Sequence, residues 1–243
     1  MKHTLYIYIA AFLLSALTCG CSHQEEPLLP QGSGTLSLQL HRVGCMTETR
    51  AVSSELAVTI VGTDGPVATF APGQVPDKIK LEPGNYELFA YTDNQETWEQ
   101  DNEGRGSACH WGTTSFSISY DNVTYVDMQV PMTNYAVSLT LPPLFEQLFV
   151  SHSLKLTCGS RTTSIRQGEK AYFDPANGGF SYMLTATNND QITHSTATVM
   201  HREVESGKCY TLTYYYDTES NSGGIDIEIK DDMDTEDVER PLR

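Results

Sequence analysis

The chain has 243 residues, which is enough for one large or two small domains once an exported N-terminus is removed. Charged residues make up 19% of it, and the net charge is −16, with 31 Asp and Glu against 15 Lys and Arg. Because binding to phosphates requires basic patches, this balance excludes nucleic acid as an expected partner and disfavours direct docking on anionic membrane surfaces.

The N-terminus has the organisation of a lipoprotein leader. After an early positive charge, the stretch 5–17 is apolar but too short to span a bilayer. Small Gly20 directly before Cys21 favours a cleavage that makes Cys21 the new N-terminus, a pattern that resembles a bacterial lipobox. We therefore predict a signal peptide at 1–20 and covalent lipid on Cys21.

The lipid predicted on Cys21 sets the expected location of the protein. Several acyl chains hold a protein firmly, because each buried methylene contributes about 0.8 kcal/mol. The acidic stretch Gln24-Glu25-Glu26 is similar to the surface-export signal of lipoproteins from the Bacteroides group, which implies an anchor in the outer membrane that faces the medium. A plain acidic linker is the alternative interpretation. Cys19 is a rival lipid site, although Thr18 before it fits the cleavage pattern less well than Gly20.

The body that follows the tether at 21–34 is predicted to be all β. The stretch 35–40 alternates strictly, with three leucines on one face, which is typical of a half-buried strand. Turn residues separate similar short segments along the chain. The other strands predicted before residue 134 are 57–61, 67–70, 79–81, 86–91, 116–120 and 126–130. Those after it are 137–141, 154–158, 170–173, 180–187, 195–199, 210–216 and 225–229, with a short helical turn at 144–150.

The spacing of these strands favours β-sandwiches. A weak internal similarity indicates two of them, because residues 86–95 align without gaps to 182–191 with identical Tyr, Leu, Ala and Gln at four positions. We predict an N-terminal sandwich at 35–134, a C-terminal sandwich at 135–229 and an acidic disordered tail at 230–243. Chance similarity between two alternating strands is the alternative explanation.

Four cysteines remain in the body, and an exported protein meets an oxidising compartment in which disulfides are allowed. Four cysteines permit three connectivities, and none of the spacings resembles a C-x-x-C metal or redox pair. Strand alternation places Cys158 and Cys209 on different sides of the sheet. We therefore favour free, partly buried thiols. The four residues are Cys45, Cys109, Cys158 and Cys209.

A long polar loop is predicted from 92 to 112, and loops of this length are often functional. It carries Trp98, His110 and Trp111, which suit stacking on a sugar ring or contact with a protein. The alternative is that these side chains cap the open end of a sandwich core. The acidic residues of the loop lack the ligand spacing of a calcium-binding loop, so we predict no metal site and no cofactor beyond the lipid on Cys21.

Motifs of catalysis are absent from the sequence. Its seven histidines include no H-E-x-x-H, and no G-x-S-x-G nucleophile elbow occurs. A site assembled in space from distant residues would leave no such pattern. We predict that the protein is not an enzyme.

Four features together resemble the fimbrillin-like lipoproteins of Bacteroidales. They are the lipobox, the early G-T-L-S-L-x-L stretch at 34–40, Thr49-Arg50-Ala51, and Leu81-x-Pro83-Gly84-x-Tyr86. The resemblance covers most of residues 17–216. It implies two transthyretin-like β-sandwich domains at the cell surface, in an adhesin, a pilus subunit or a pilus anchor, with fimbrial subunits or host and glycan ligands as partners.

The resemblance also implies a processing step. In polymerising fimbrillins a protease cuts after an arginine that follows the first strand, and Arg50 matches that position. Removing residues 21–50 would take away the first strand and leave open sheet edges for strand addition. The acidic stretch 231–239 could not fill a hydrophobic groove, which favours an anchor or tip component over a stalk subunit. The alternative function is a surface glycan-binding module for nutrient capture.

Overall fold

The computed structural model describes residues 32–45, 55–216 and 225–231. From Ser33 onward these residues belong to one compact unit. The predicted lipid site Cys21 and the predicted cleavage site Arg50 lie outside the described residues. Of the disordered tail predicted at 230–243, residues 230 and 231 instead end the last strand, and the remainder lies outside the described residues. Among the residues described, no helix is long and apolar enough to cross a membrane.

Strands make up most of the described chain, and the helical segments are single turns. The first strands are β1 (Gly34–Val43), β2 (Ala57–Gly62), β3 (Gly65–Phe70), β4 (Ile79–Leu81), β5 (Gly84–Tyr91), β6 (Trp111–Ile118) and β7 (Val123–Pro131). They are followed by β8 (Tyr135–Thr140), β9 (Phe149–Cys158), β10 (Arg161–Ile165), β11 (Lys170–Phe173), β12 (Phe180–Asn188), β13 (Thr193–Ser195), β14 (Val199–His201), β15 (Cys209–Tyr216) and β16 (Ile225–Asp231). The helical turns are Trp98–Gln100, Asp101–Gly104, Phe145–Leu148 and Pro175–Asn177. The prediction of an all-β protein is confirmed.

The first seven strands form two sheets with a shared core. One sheet has the order β4–β1–β7, in which β1 is antiparallel to β4 and parallel to β7. The other has the order β3–β2–β5–β6 and is antiparallel throughout. Because side chains alternate along a strand, Leu36 and Leu40 of β1 face inward and pack in one cluster with Ile60 and Leu88 of the second sheet.

The later strands form a second pair of sheets. In one, β9 lies between β10 and β12, and β12 also pairs with β13 and β14. The other has the order β11–β8–β15–β16. Their core is rich in aromatic rings, and the Tyr135 ring lies 5.8 Å from that of Phe173, 6.1 Å from that of Phe180 and 5.7 Å from that of Tyr210.

The same topology occurs in both pairs of sheets. β1 lies between antiparallel β4 and parallel β7, as β8 lies between antiparallel β11 and parallel β15. The order β3–β2–β5–β6 likewise corresponds to β10–β9–β12–β13. The two segments with similar sequences fall largely on β5 and β12, which occupy equivalent positions. β16 has no counterpart among the described strands of the first half.

The strand predictions fail where polar side chains replace the apolar alternation. β10 was not predicted, because it carries Thr and Ser at most positions. The strand predicted at 195–199 is interrupted between β13 and β14. There the Thr196 hydroxyl accepts a hydrogen bond from the Leu184 N–H at 3.0 Å, and the Thr196 N–H donates to the Leu184 carbonyl at 2.9 Å. One residue thus makes both bonds to Leu184 and breaks the regular ladder.

Candidate functional site

A disulfide connects the two halves of the fold. It joins Cys45, two residues beyond the end of β1, to Cys209 at the start of β15, with the Cα atoms 4.9 Å apart. Cys109 and Cys158 are free and buried. The prediction of four free thiols is therefore wrong for Cys45 and Cys209. Alternation within strands could not identify this pair, because Cys45 follows its strand in a turn.

The disulfide lies in a small apolar cluster. Cys209 is buried together with Met132, Ala136 and Tyr172, and Cys45 packs against the same cluster. In addition, the Lys170 ammonium donates a hydrogen bond to the Cys45 carbonyl oxygen at 3.1 Å. The end of β1 is thus held by a covalent bond, by apolar packing and by a hydrogen bond.

The free Cys158 has a structural environment rather than a reactive one. Its thiol donates to the Gly178 carbonyl oxygen at 3.5 Å and accepts from the Tyr135 hydroxyl at 3.3 Å. Burial raises the pKa of the Cys158 thiol above its usual value. Because the thiolate is the nucleophilic form, a protonated and buried thiol is inert.

Trp98 has one of its faces occupied by another part of the chain. The Arg161 guanidinium carbon lies 5.6 Å from the centroid of the Trp98 ring and 5.1 Å from that of Phe173. The same guanidinium donates to three backbone carbonyl oxygens, those of Tyr172 at 2.5 Å, Glu99 at 3.0 Å and Gly104 at 2.6 Å. The half-buried Trp98 therefore helps to fasten the 92–112 loop to the second pair of sheets.

His110 is inaccessible, contrary to the prediction that it contacts a ligand. Only 1% of the residue is exposed, and its backbone N–H donates to the Thr92 hydroxyl at 3.1 Å. The Gln95 side-chain amide donates to the His110 carbonyl oxygen at 2.8 Å. Burial, and next the charge of Arg42, lower the pKa of His110 to about 4. The ring is therefore neutral, and its Nδ1 has no hydrogen-bond partner within the described chain.

The buried His110 should make stability depend on pH. Its pKa is about 4 when folded and near 6.5 when unfolded, so the unfolded chain binds more protons between these values. The free energy of unfolding should therefore fall as the pH falls through this window, by on the order of 3 kcal/mol. Urea unfolding across this range measures the loss. His110→Gln should reduce the dependence of the free energy of unfolding on pH, whereas His194→Gln, at an exposed position, should retain it. An equal dependence in His110→Gln and in the unchanged protein would show that His110 is not its source.

Trp111 belongs to a row of aromatic rings on the outer face of a sheet. It opens β6, is 43% exposed and pairs in register with Tyr91 of β5. The centroid of the Trp111 ring lies 6.3 Å from that of Phe89, which precedes Tyr91 by two residues on β5. Leu88 and Ala90 face the core, so Phe89 and Tyr91 point outward. Phe89 and Tyr91 were not among the predicted contact residues, although their alternation with Leu88 and Ala90 is visible in the sequence.

A shallow cavity of about 410 Å³ with both polar and apolar lining residues occupies the other end of the same outer face. Its lining includes Val61, Asn85, Glu87, Ser115 and Ser117, which are in outward positions of the register. The Ser117 hydroxyl donates to the Asn85 side-chain oxygen at 2.6 Å. We call the outward side of β2, β5 and β6 the outer face. It carries aromatic rings at one end and polar groups at the other.

A larger cavity of about 670 Å³ lies beside the 92–112 loop. The Asn94 amide donates to the Asp101 carboxylate at 2.7 Å and to the Ser107 hydroxyl at 2.6 Å, and this hydroxyl donates to the same carboxylate oxygen at 2.6 Å. The bonds from Ser107 and then Asn94 lower the pKa of Asp101. These polar groups bind one another, but the buried side-chain oxygen of Asn94 has no hydrogen-bond partner within the described chain. Across the described residues, no three His, Cys, Asp or Glu side chains are placed to hold a metal ion.

The structure thus separates the three predicted contact residues. Trp98 packs under Arg161, His110 is buried, and only Trp111 has an exposed ring on a sheet face. The described chain is an all-β protein built from two pairs of sheets with the same topology. It belongs to the family named "Domain of unknown function (DUF4493)", which matches residues 48–241. No curated protein matches the chain.

The fold is distantly similar to those of several solved structures, including the following three. A candidate cell adhesion protein of Bacteroides uniformis is 10% identical, with 83% of this chain and 98% of the other covered at a TM-score of 0.49. A fimbrial assembly protein of Parabacteroides distasonis is 12% identical, with 82% and 99% covered at 0.44. A candidate polysaccharide-binding protein of Bacteroides thetaiotaomicron is 6% identical, with 77% and 93% covered at 0.42. All three TM-scores are below 0.5, so none of these likenesses defines a function.

Proposed function

We propose that the protein is a lipid-anchored component of the outer-membrane surface, adhesive or related to fimbriae and of the anchor or tip type. The leader that precedes Cys21 supports the anchor, and the acidic residues after Cys21 support export to the surface. The repeated topology supports two tandem β-sandwich domains. We also propose that the protein is not an enzyme.

The position of β1 is consistent with a segment that joins the anchor to the fold. The tether leads directly into this strand, which lies in the middle of its sheet between β4 and β7. Leu36 and Leu40 are 0% and 2% exposed. Burying one leucine side chain contributes about 1.5 to 3 kcal/mol, so the strand that follows the lipid is also an essential part of the core.

The Cys45–Cys209 disulfide carries the proposal that the anchor is permanent. Cys45 precedes Arg50 in the sequence, so a cut after Arg50 would leave Cys45 on the N-terminal fragment. That fragment also carries Cys21 and β1. The disulfide would keep it bonded to the remainder of the chain through Cys209. This favours an anchor or tip component over a subunit that leaves its lipid and polymerises.

Metabolic labelling tests the anchor. Radiolabelled palmitate should enter the protein in cells that express it, and Cys21→Ala should abolish the labelling because Cys21, rather than its rival Cys19, is predicted to become the N-terminus. Antibodies should detect the body on intact cells. Cys19→Ala is the matched control and should be labelled normally. Labelling that persists in Cys21→Ala, or antibody binding only after the cells are broken, would contradict the proposal.

The alternative function is a glycan-binding surface module. The exposed Trp111 ring on the outer face, with the half-buried rings of Phe89 and Tyr91 beside it, favours this function, because aromatic side chains at exposed sites suit contact with ligands. Binding of a glycan is compatible with a surface anchor, since the outer face does not include β1 or the disulfide.

A further inference from the structure

We propose that the outer face of β2, β5 and β6 binds a neutral oligosaccharide. It carries the two features that such a ligand requires, a row of aromatic rings and a set of hydrogen-bonding side chains. Both lie on one surface of the sheet. The inference rests on the alternative function, a glycan-binding module. It does not depend on the lipid anchor or on cleavage at Arg50, so glycan binding and permanent anchoring succeed or fail separately.

The aromatic end of the outer face is formed by Phe89, Tyr91 and Trp111. The Trp111 ring is exposed, and the two β5 rings beside it are half-buried. The Tyr91 hydroxyl lies 3.2 Å from the hydroxyl of Thr59, which fixes the outward direction of that ring. Aromatic faces carry negative charge density and attract the C–H groups of a flat sugar ring. Rings supported by their sheet also lose little entropy on binding.

The polar end carries side chains that can form hydrogen bonds with sugar hydroxyls. The Thr113 hydroxyl donates to one carboxylate oxygen of Glu87 at 3.1 Å, and the Ser117 hydroxyl donates to the Asn85 side-chain oxygen. Within the described chain, the second carboxylate oxygen of Glu87 and the amide nitrogen of Asn85 make no side-chain bond. They offer one acceptor and one donor at the 410 Å³ cavity. A few placed polar groups beside apolar ones give a binding site its specificity.

The size and charge of the outer face restrict the ligand. From Asn85 to Tyr91 the face extends about 20 Å along β5, which is longer than one sugar ring and fits a short oligosaccharide. Glu87 is the only charged side chain at the outward positions of these strands, and the chain as a whole has a net charge of −16. Anionic polysaccharides would be repelled, so the ligand should be neutral.

Titration of the full-length protein with defined glycans tests the site. The probes are neutral hexasaccharides of glucose, mannose and xylose and neutral N-acetyllactosamine oligomers, with polygalacturonate as the anionic comparison. At least one neutral probe should bind, and polygalacturonate should not. Trp111→Ala should weaken that binding roughly tenfold or more, and Asn85→Ala should also weaken it, by loss of a hydrogen bond.

Tyr125→Ala is the matched control, because Tyr125 is 79% exposed on β7 of the other sheet. It should bind as tightly as the unchanged protein. Trp111 is itself exposed, so Trp111→Ala should keep the circular dichroism spectrum and the unfolding midpoint of the parent. The inference is overturned if no neutral probe binds, if polygalacturonate binds best, or if Trp111→Ala and Tyr125→Ala bind equally well.

Discussion

Replacing Cys209 with serine is expected to lower the free energy of unfolding by about 5 kcal/mol under oxidising conditions. The disulfide connects residues 164 positions apart, so it restricts a large part of the unfolded chain. The loop-closure relation gives this value for such a separation. A loss of this size would be comparable with the entire stability of many domains, which is about 5 to 15 kcal/mol. Denaturant unfolding of both proteins measures the difference.

Further variants show whether the loss of stability comes from the missing disulfide or from the serine side chain itself. Cys45→Ser should cause a similar loss, and the double variant Cys45→Ser/Cys209→Ser should lose no more than either single variant. A reducing agent should destabilise the unchanged protein and leave the variants unaffected. Equal unfolding midpoints for the unchanged protein with and without the reducing agent would show that the bridge does not stabilise the fold.

Cleavage after Arg50 is expected to leave the two fragments joined. The N-terminal fragment retains β1, whose Leu36 and Leu40 are buried, and Cys45, which is bonded to Cys209. A single cut after Arg50, obtained by limited digestion of the purified protein with an arginine-specific protease, should therefore give one covalent species on a denaturing gel without reductant. With reductant, the gel should show the separate N-terminal fragment.

Two variants identify the cut and the bond in this digestion. Arg50→Gln should remove the N-terminal fragment from the reduced gel, because the fragment ends at that arginine. Cys45→Ser should release the fragment even without reductant. Separation of the fragments of the unchanged protein on the non-reducing gel would be incompatible with the proposed role of the disulfide.

Most strands could be predicted, because each buries one face against a single core. In such a strand apolar and polar residues alternate in the sequence, and this alternation predicts the strand, as in β1 and β5. β10 and the break between β13 and β14 could not be predicted, because they depend on side-chain hydrogen bonds across strands. Thr157 and Thr162 pair in this way at 3.0 Å, and Thr196 bonds to Leu184.

The candidate sites were predictable only in part. The sequence shows that Trp98, His110 and Trp111 lie near one another in the chain, but it does not show which of them is covered. Arg161, which covers Trp98, lies 63 residues further along the chain, and such a contact is decided by how distant strands pack. The Cys45–Cys209 pair depends on packing between the two halves for the same reason.

The proposal that the lipid anchor is permanent is tested most directly on palmitate-labelled cells. The cells are treated with an arginine-specific protease in the absence of reductant, and the part of the chain after Arg50 is followed with an antibody. It should remain on the cells together with the label, because Cys45 and Cys209 are bonded. In Cys45→Ser that covalent link is lost. Release of this part from unchanged cells, with the label left behind, would contradict the proposal.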